Sequence, residues 1–322
     1  MRIHALVLAG LLLAASVVDA DTAMPHIGYL VQSPLTDPPS PERVAFLDGL
    51  RALGYENGRN IFIDYRSAEG DADKLPFLAE ELVARKVDII VAVGTPPAIA
   101  AHKATTTIPI VFLFLTDPIA AHLVDNLARP GGNITGLSSL AGELGAKRLE
   151  LLRETLPHLS RVTVLWDSDF IVDSELQNIQ TAARTLGVSI QPVDIGGHPN
   201  LTAVFPAIVK NRPDALLVTT NLRTHEYRDI IADFALRQRL PTMFGRRDFV
   251  VGGGLMSYAA DFSTMSRRAA TYVDRILRGT PAGNLPVEQP TQFELVINSK
   301  TAKALGIKIP QSILVRADEV LR

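Results

Sequence analysis

The chain has 322 residues, 47% hydrophobic and 20% charged, with 32 Lys and Arg against 34 Asp and Glu for a net charge of −2. No basic excess favours nucleic acid and no acidic tail is present. There is no cysteine, which removes disulfides, thiolate nucleophiles and cysteine-ligated metals.

The length accommodates two hydrophobic cores rather than one. Arg2 precedes an apolar stretch over residues 5–18, and Val18-Asp19-Ala20 offers small residues at a cleavage point. Residues 1–20 therefore read as an export signal cleaved near Ala20. The stretch is shorter than the ~18 apolar residues of a spanning helix. No cysteine follows it, so no lipid anchor is available there. The mature protein is expected to be free in the periplasm of a double-membraned bacterium.

Strand-like and helix-like segments then alternate. Residues 27–31 form a short apolar strand. Ser40-Pro41 is an N-cap with Pro at the first helical position, and Val44, Leu47 and Leu50 follow at helical spacing before Gly54. Residues 60–65 are a second strand. Leu75, Leu78, Ala79, Leu82 and Val83 give the full stripe of a helix packed on a sheet. Residues 87–93 form a third strand, apolar on both faces as in a covered parallel sheet. Residues 108–115 are a fourth strand, Asp117-Pro118 opens another helix, and "RPGGNITG" turns the chain into a fifth strand near 134–137.

The pattern then repeats. Residues 161–166 are a strand, Ser174 and Gln177 make a capping box, and Leu176, Ile179, Ala183 and Leu186 form the next stripe. Strands at 188–193, 215–219 and 241–244 alternate with helices through 201–209 and 230–234. "VDIIVAVGT" corresponds to "PDALLVTTN", and "IPIVF" to "LPTMF". Two such units predict an α/β protein with two doubly wound, Rossmann-like lobes. Chain crossings are expected near 137–141, 260–263 and 281–286, giving a three-strand hinge. Lobe one would comprise residues 25–138 and 262–283, and lobe two residues 139–261 and 284–306. Residues 307–322 would be a C-terminal tail.

In such sheets ligands lie outside the carboxyl ends of the strands. Those ends present Gln32 and Ser33, Gly94 and Thr95, Thr116 and Asp117 in the first lobe. The second lobe presents Asp167 and Ser168, Thr220 and Asn221, Gly245 and Arg246, with Tyr258 and Asp261 near a crossing. Gly94 permits close backbone approach. Thr95 as N-cap with Pro96 behind it would turn the positive helix end to the cleft, suiting a carboxylate; a plain cap facing water is the alternative. Asp117 would receive an ammonium or simply cap its helix. Trp166, the one tryptophan, ends a strand at the cleft edge, with Phe170, Phe244 and Tyr258 as further aromatics. Arg246-Arg247 could meet an anion, with a solvent-facing pair as the favoured reading. The seven histidines lack H-E-x-x-H spacing, and no G-x-S-x-G elbow, Walker loop or dinucleotide fingerprint occurs. No catalytic residue, metal or cofactor is therefore assigned.

The stretches "GTPPAIAAHKATTTIPIVF", "ARPGGNITGLSS", "GGGLMSYAADF" and "LPVEQPTQFELVINSKTAKALGIKIPQSILVRADEVLR" resemble the ABC-transporter substrate-binding proteins of the tryptophan/tyrosine-binding type. The resemblance covers about residues 25–322. It implies the type I periplasmic binding protein fold and a solute trapped between two lobes. It also implies a permease and an ATPase on separate chains, and ligand loops at Gly94-Thr95, Thr116-Asp117-Pro118, the stretch after Trp166, and Tyr258. "WDSDFIVDSEL" and Thr220-Asn221 depart from the usual family residues, so the solute is expected to be an aromatic amino acid or an aromatic or other small organic acid. A monomer without nucleic-acid partners is expected. A ligand-binding partner of a membrane sensor kinase and an exported α/β enzyme are the alternatives.

Overall fold

The structure, a computed structural model, describes residues 24–168, 174–196 and 200–322. The expected export signal, Phe170 and the Ser174 side chain of the expected capping box fall outside them.

The first half of the chain builds β1 (His26–Val31), α1 (Pro41–Ala52), β2 (Phe62–Ser67), α2 (Leu75–Ala84), β3 (Ile89–Val93), α3 (Thr95–Ala104), β4 (Ile110–Leu115) and β5 (Ile134–Ser138). These strands form an all-parallel sheet in the order β2-β1-β3-β4-β5. The second half begins with α4 (Ala141–Thr155), β6 (Arg161–Trp166), α5 (Ser174–Leu186), β7 (Ser189–Asp194), α6 (Phe205–Asn211), β8 (Ala215–Val218) and α7 (Leu222–Glu226). It continues with α8 (Arg228–Arg237), β9 (Thr242–Phe244), α9 (Arg247–Val251), β10 (Met256–Ala260), α10 (Phe262–Leu277), β11 (Phe293–Asn298), α11 (Ser299–Leu305), α12 (Gln311–Leu314) and β12 (Glu319–Leu321). Its sheet runs β12-β11-β10-β9-β8-β6-β7, with only the β10–β11 pair antiparallel.

Period-two alternation explains the layering. In β3, Ile89 and Val91 enter one core with Phe46 of α1 and Tyr272 of α10. Ile90 and Ala92 enter the opposite core with Leu82 of α2 and Ala98 of α3. A sheet buried on both faces requires such continuous apolar runs. The second sheet is covered in the same way. Val162 and Val164 meet Leu152 of α4 and Ile179 of α5, whereas Leu165 meets Ile208 and Phe234.

Some expectations are corrected. The second strand starts at Phe62 rather than residue 60, because the Asn60 side chain is spent in the turn, accepting from Glu56 N (2.7 Å) and donating to Gly54 O (2.7 Å). No helix follows Asp117-Pro118. A single turn closes with Ala121 N on Asp117 O, His122 takes a left-handed φ of 54°, and Asn126 opens a new turn by accepting from Ala128 N. Residues 284–288 stay with the first lobe. Glu288 bridges Leu137 beyond β5, and Leu285 and Val287 are buried against that sheet. The third passage between sheets is therefore at residues 289–292, not 281–286. The expected tail is also part of a lobe: β12 pairs with β11, and Ile313 is buried in the second lobe's core.

Candidate ligand-binding site

The strand ends of the two sheets enclose a cavity of about 350 Å³. Of the residues expected from sequence, Gln32, Ser33, Gly94, Thr95, Thr116, Thr220 and Asn221 line it. The other five lie elsewhere. Asp117 Oδ1 accepts from Ile119 N (3.1 Å) and Ala120 N (2.9 Å), so it caps its own turn. Trp166 packs on the second core, and its carbonyl accepts from Ile195 N (2.8 Å). Asp167 is buried, with Arg223 Nε 3.6 Å away, and the Ser168 amide donates to Asp194 (2.9 Å). Tyr258 stacks on Phe293 and lines a separate depression with Asp261, Glu294 and Asp318.

The turn before α3 differs in detail from its sequence reading. Gly94, not Thr95, is the N-cap, with φ 96° and ψ 168°, a backbone region open in practice only to glycine. Pro96 and Pro97 follow, and prolines carry no N–H. Ala98 N already bonds Gly94 O at 3.2 Å. Of the first-turn donors, Thr95 N–H and its hydroxyl are what remain for a ligand. The expected bank of amides is thus one amide deep.

The aromatic wall comes from residues the sequence reading missed. Tyr29 ends up buried on β1, and burial pushes its phenol up from the ordinary value. Phe114 sits at a register shift in β4 between Leu113 and Leu115, with φ 63°. Bulges of this kind re-aim a side chain. Its ring meets the edge of Phe262, the first residue of α10, at 4.7 Å. The alternation in "IVFLFL" would have placed the Phe114 ring by strand parity; the bulge breaks that parity.

A chain of charges crosses the cleft. Arg246 Nη2 of the second lobe meets Glu42 Oε1 of α1 at 2.6 Å. Arg246 Nε also faces Asp248 Oδ1 at 3.3 Å, and Asp248 hydrogen-bonds His225. The Arg246 guanidinium lies over the Phe262 ring, 4.7 Å from its centroid, a cation–π geometry. Burial raises the Glu42 carboxyl, but Arg246 together with backbone and Ser40 hydrogen bonds holds Glu42 below the usual range. Asp248 is likewise raised by burial and lowered further by His225 and Arg246, ending well below the usual range. Burial pulls the Arg246 guanidinium down, and its two carboxylates more than restore it. The expectation of a solvent-facing arginine pair therefore fails for Arg246. It holds for Arg247, which is exposed and clasps Glu319 with two 2.7 Å bonds. Among the described residues no group of three or more His, Asp or Glu is placed to hold a metal ion.

Two lobes, strand tips converging on one cavity, and a wall of rings facing polar and charged side chains describe a receptor for a small solute. The family model for the ABC transporter substrate binding protein matches residues 37–321. The chain belongs to that family. It is a substrate-binding protein rather than an enzyme. A tyrosine-binding protein from Clostridioides difficile (strain R20291) is 29% identical over 284 residues, 88% of this chain and 80% of that protein. The crystal structure of a conserved domain protein from Vibrio cholerae O1 biovar El Tor str. N16961 is 28% identical, with a TM-score of 0.85, over 92% of this chain and 100% of that one. The ABC domain in complex with L-Trp from Streptococcus pneumonia is 25% identical, with a TM-score of 0.84, over 93% of this chain and 100% of that one. The fold is that of type I periplasmic binding proteins.

Proposed function

We propose that this substrate-binding protein closes its lobes on an aromatic amino acid, with L-tryptophan and L-tyrosine as first candidates, and delivers it to a permease and ATPase on separate chains. The observation that carries the reading is the ring wall of the cavity: Tyr29, Phe114 and Phe262, with Phe114 aimed inward by a bulge. Rings stack favourably at centroid separations of roughly 4.5–7 Å, and a β-bulge with a left-handed aromatic residue is a costly local conformation that a site can justify. Opposite this wall stand Thr220 and Asn221, and Glu226, Arg43 and Arg228 offer both signs of charge to a zwitterion. The names of the two relatives, one tyrosine-binding and one holding L-Trp, support the same ligand class. Residues 1–20 support export to the periplasm, with the mature chain starting near Asp21.

Titration calorimetry of the purified protein with L-tryptophan, L-tyrosine, L-leucine and glucose tests this. Saturable binding of an aromatic amino acid is expected. Phe114→Ala should weaken it about tenfold or more, corresponding to ~1.4 kcal/mol per decade. Binding of leucine or glucose with no response to either aromatic amino acid overturns the reading.

A further inference from the structure

Arg148 and Glu175 are an ion pair buried to 1% and 3% exposure in the second lobe. The partners described for the pair are informative. Glu175 turns one carboxylate oxygen to Arg148 and uses the other to accept from the Thr220 amide at 2.9 Å. Arg148 Nε donates to the Tyr258 carbonyl at 2.8 Å, just before the passage at Asp261. Its Nη1 also reaches the Ala141 carbonyl at 3.4 Å, where the chain has just arrived from the first lobe. Gly245 closes the arrangement: a β-carbon there would stand 1.7 Å from Thr220 Oγ1 and 2.9 Å from Arg148 Cζ.

One guanidinium therefore touches the roots of two of the three passages, and its carboxylate partner grips the cleft loop. Stability alone is a weak reason for such a pair. Desolvating two charges offsets much of their attraction, and apolar residues of similar volume often replace a buried pair without loss. What apolar residues cannot replace is the direction of four hydrogen bonds.

We propose that Arg148 and Glu175 are positioning residues that make the Thr220 loop and the two passages move as one body, so that the cleft and the hinge are mechanically joined. The chain has no native cysteine, so spin labels at E80C on α2 and K210C on α6, both exposed, report the interlobe distance without background. The ligand-free parent sets the reference distance distribution. In R148M/E175M, which removes both charges together, the melting temperature should stay within a few degrees while the distribution widens or shifts. Glu175→Asp keeps the charge but withdraws it from the Thr220 amide, and should widen the distribution in smaller measure. A parent-like distribution in a folded form of either variant overturns the proposal, since a pair that merely fills the core would leave the distance untouched.

A second arm rests on the proposed function: the affinity for L-tryptophan should fall fivefold or more in R148M/E175M despite its retained melting temperature, and parent-like affinity there counts against the pair. A parent that binds neither L-tryptophan nor L-tyrosine sinks the ligand assignment, and the ligand-free distances then decide on the pair.

Discussion

Arg246 shows how a single side chain can join two lobes. Its partner Glu42 is 204 positions away in sequence, so adjacency to Arg247 was the only local cue, and it pointed to solvent. Both carboxylates on Arg246 are held below their ordinary values. Groups with depressed folded values contribute stability above their unfolded values, roughly 4, and lose it as pH falls through the folded values. Both carboxylates therefore stay ionised in the folded protein from neutral pH to about 5, and ligand affinity in the parent should be steady over that range. Arg246→Met leaves Glu42 and Asp248 without their shared cation, so affinity at neutral pH should drop about tenfold or more. An acid response absent from the parent should also appear: protonating either carboxylate relieves their repulsion, so the variant binds better at pH 5 than at pH 7. Calorimetric titrations at pH 7 and 5 check both responses. An acid response in R246M parallel to the parent's removes the cross-cleft role from this chain of charges.

At the scale of elements, most of the helices and strands were legible because their signals are local. The stripe from Leu75 to Val83 sits on α2, and the Ser40-Pro41 start is realised, with Ser40 Oγ accepting from Arg43 N at 3.2 Å. The missing helix after Asp117 shows the limit. Its first turn obeys the N-cap rule, but Val287 N bonds Leu127 O at 2.7 Å, so an extended segment 160 residues on fixes where that loop runs. The turn at Gly94 lies between these cases. Its glycine was read as permissive, but the placement of the cap one residue early depends on φ 96°, which no composition reveals. Gly94→Ala forces a side chain into that backbone region, at a cost of roughly 1–3 kcal/mol. The melting temperature should fall by several degrees on the scale of ~2–4 °C per kcal/mol. Affinity should fall as well, because Thr95, the one donor residue left in that first turn, moves with it. Differential scanning fluorimetry and titration on the same preparation separate the two effects, and an undisturbed melting point would mean that the turn accommodates a β-carbon.

For the whole molecule, the alternation of strands and helices predicts two lobes, and the crossing expected near residues 260–263 puts residues 262–283 on the first. α10 lies between β10 and β11 in sequence, yet its Met265, Ala269, Tyr272 and Val273 complete the first lobe's core, while both flanking strands belong to the second sheet. An amphipathic stripe says that a helix packs, not on which of two similar sheets. The cores themselves are separate on the two sides of the cleft, and the contact described across it is polar and centred on Arg246. Interfaces of that kind leave lobes free to move and to unfold independently. Scanning calorimetry of the ligand-free protein should therefore show a van't Hoff enthalpy clearly smaller than the calorimetric one. A ligand held by Phe114 on one side and the Thr220 loop on the other is lost when either lobe unfolds. At about 100 times its dissociation constant it adds roughly 2.7 kcal/mol to the folded state, and the penalty falls on whichever lobe melts first. The two enthalpies should then converge as L-tryptophan is added. Equal enthalpies without any ligand would mean that the three passages and the Glu42–Arg246 pair already weld the lobes into one cooperative unit, and the freedom to open and close would have to come from bending within it.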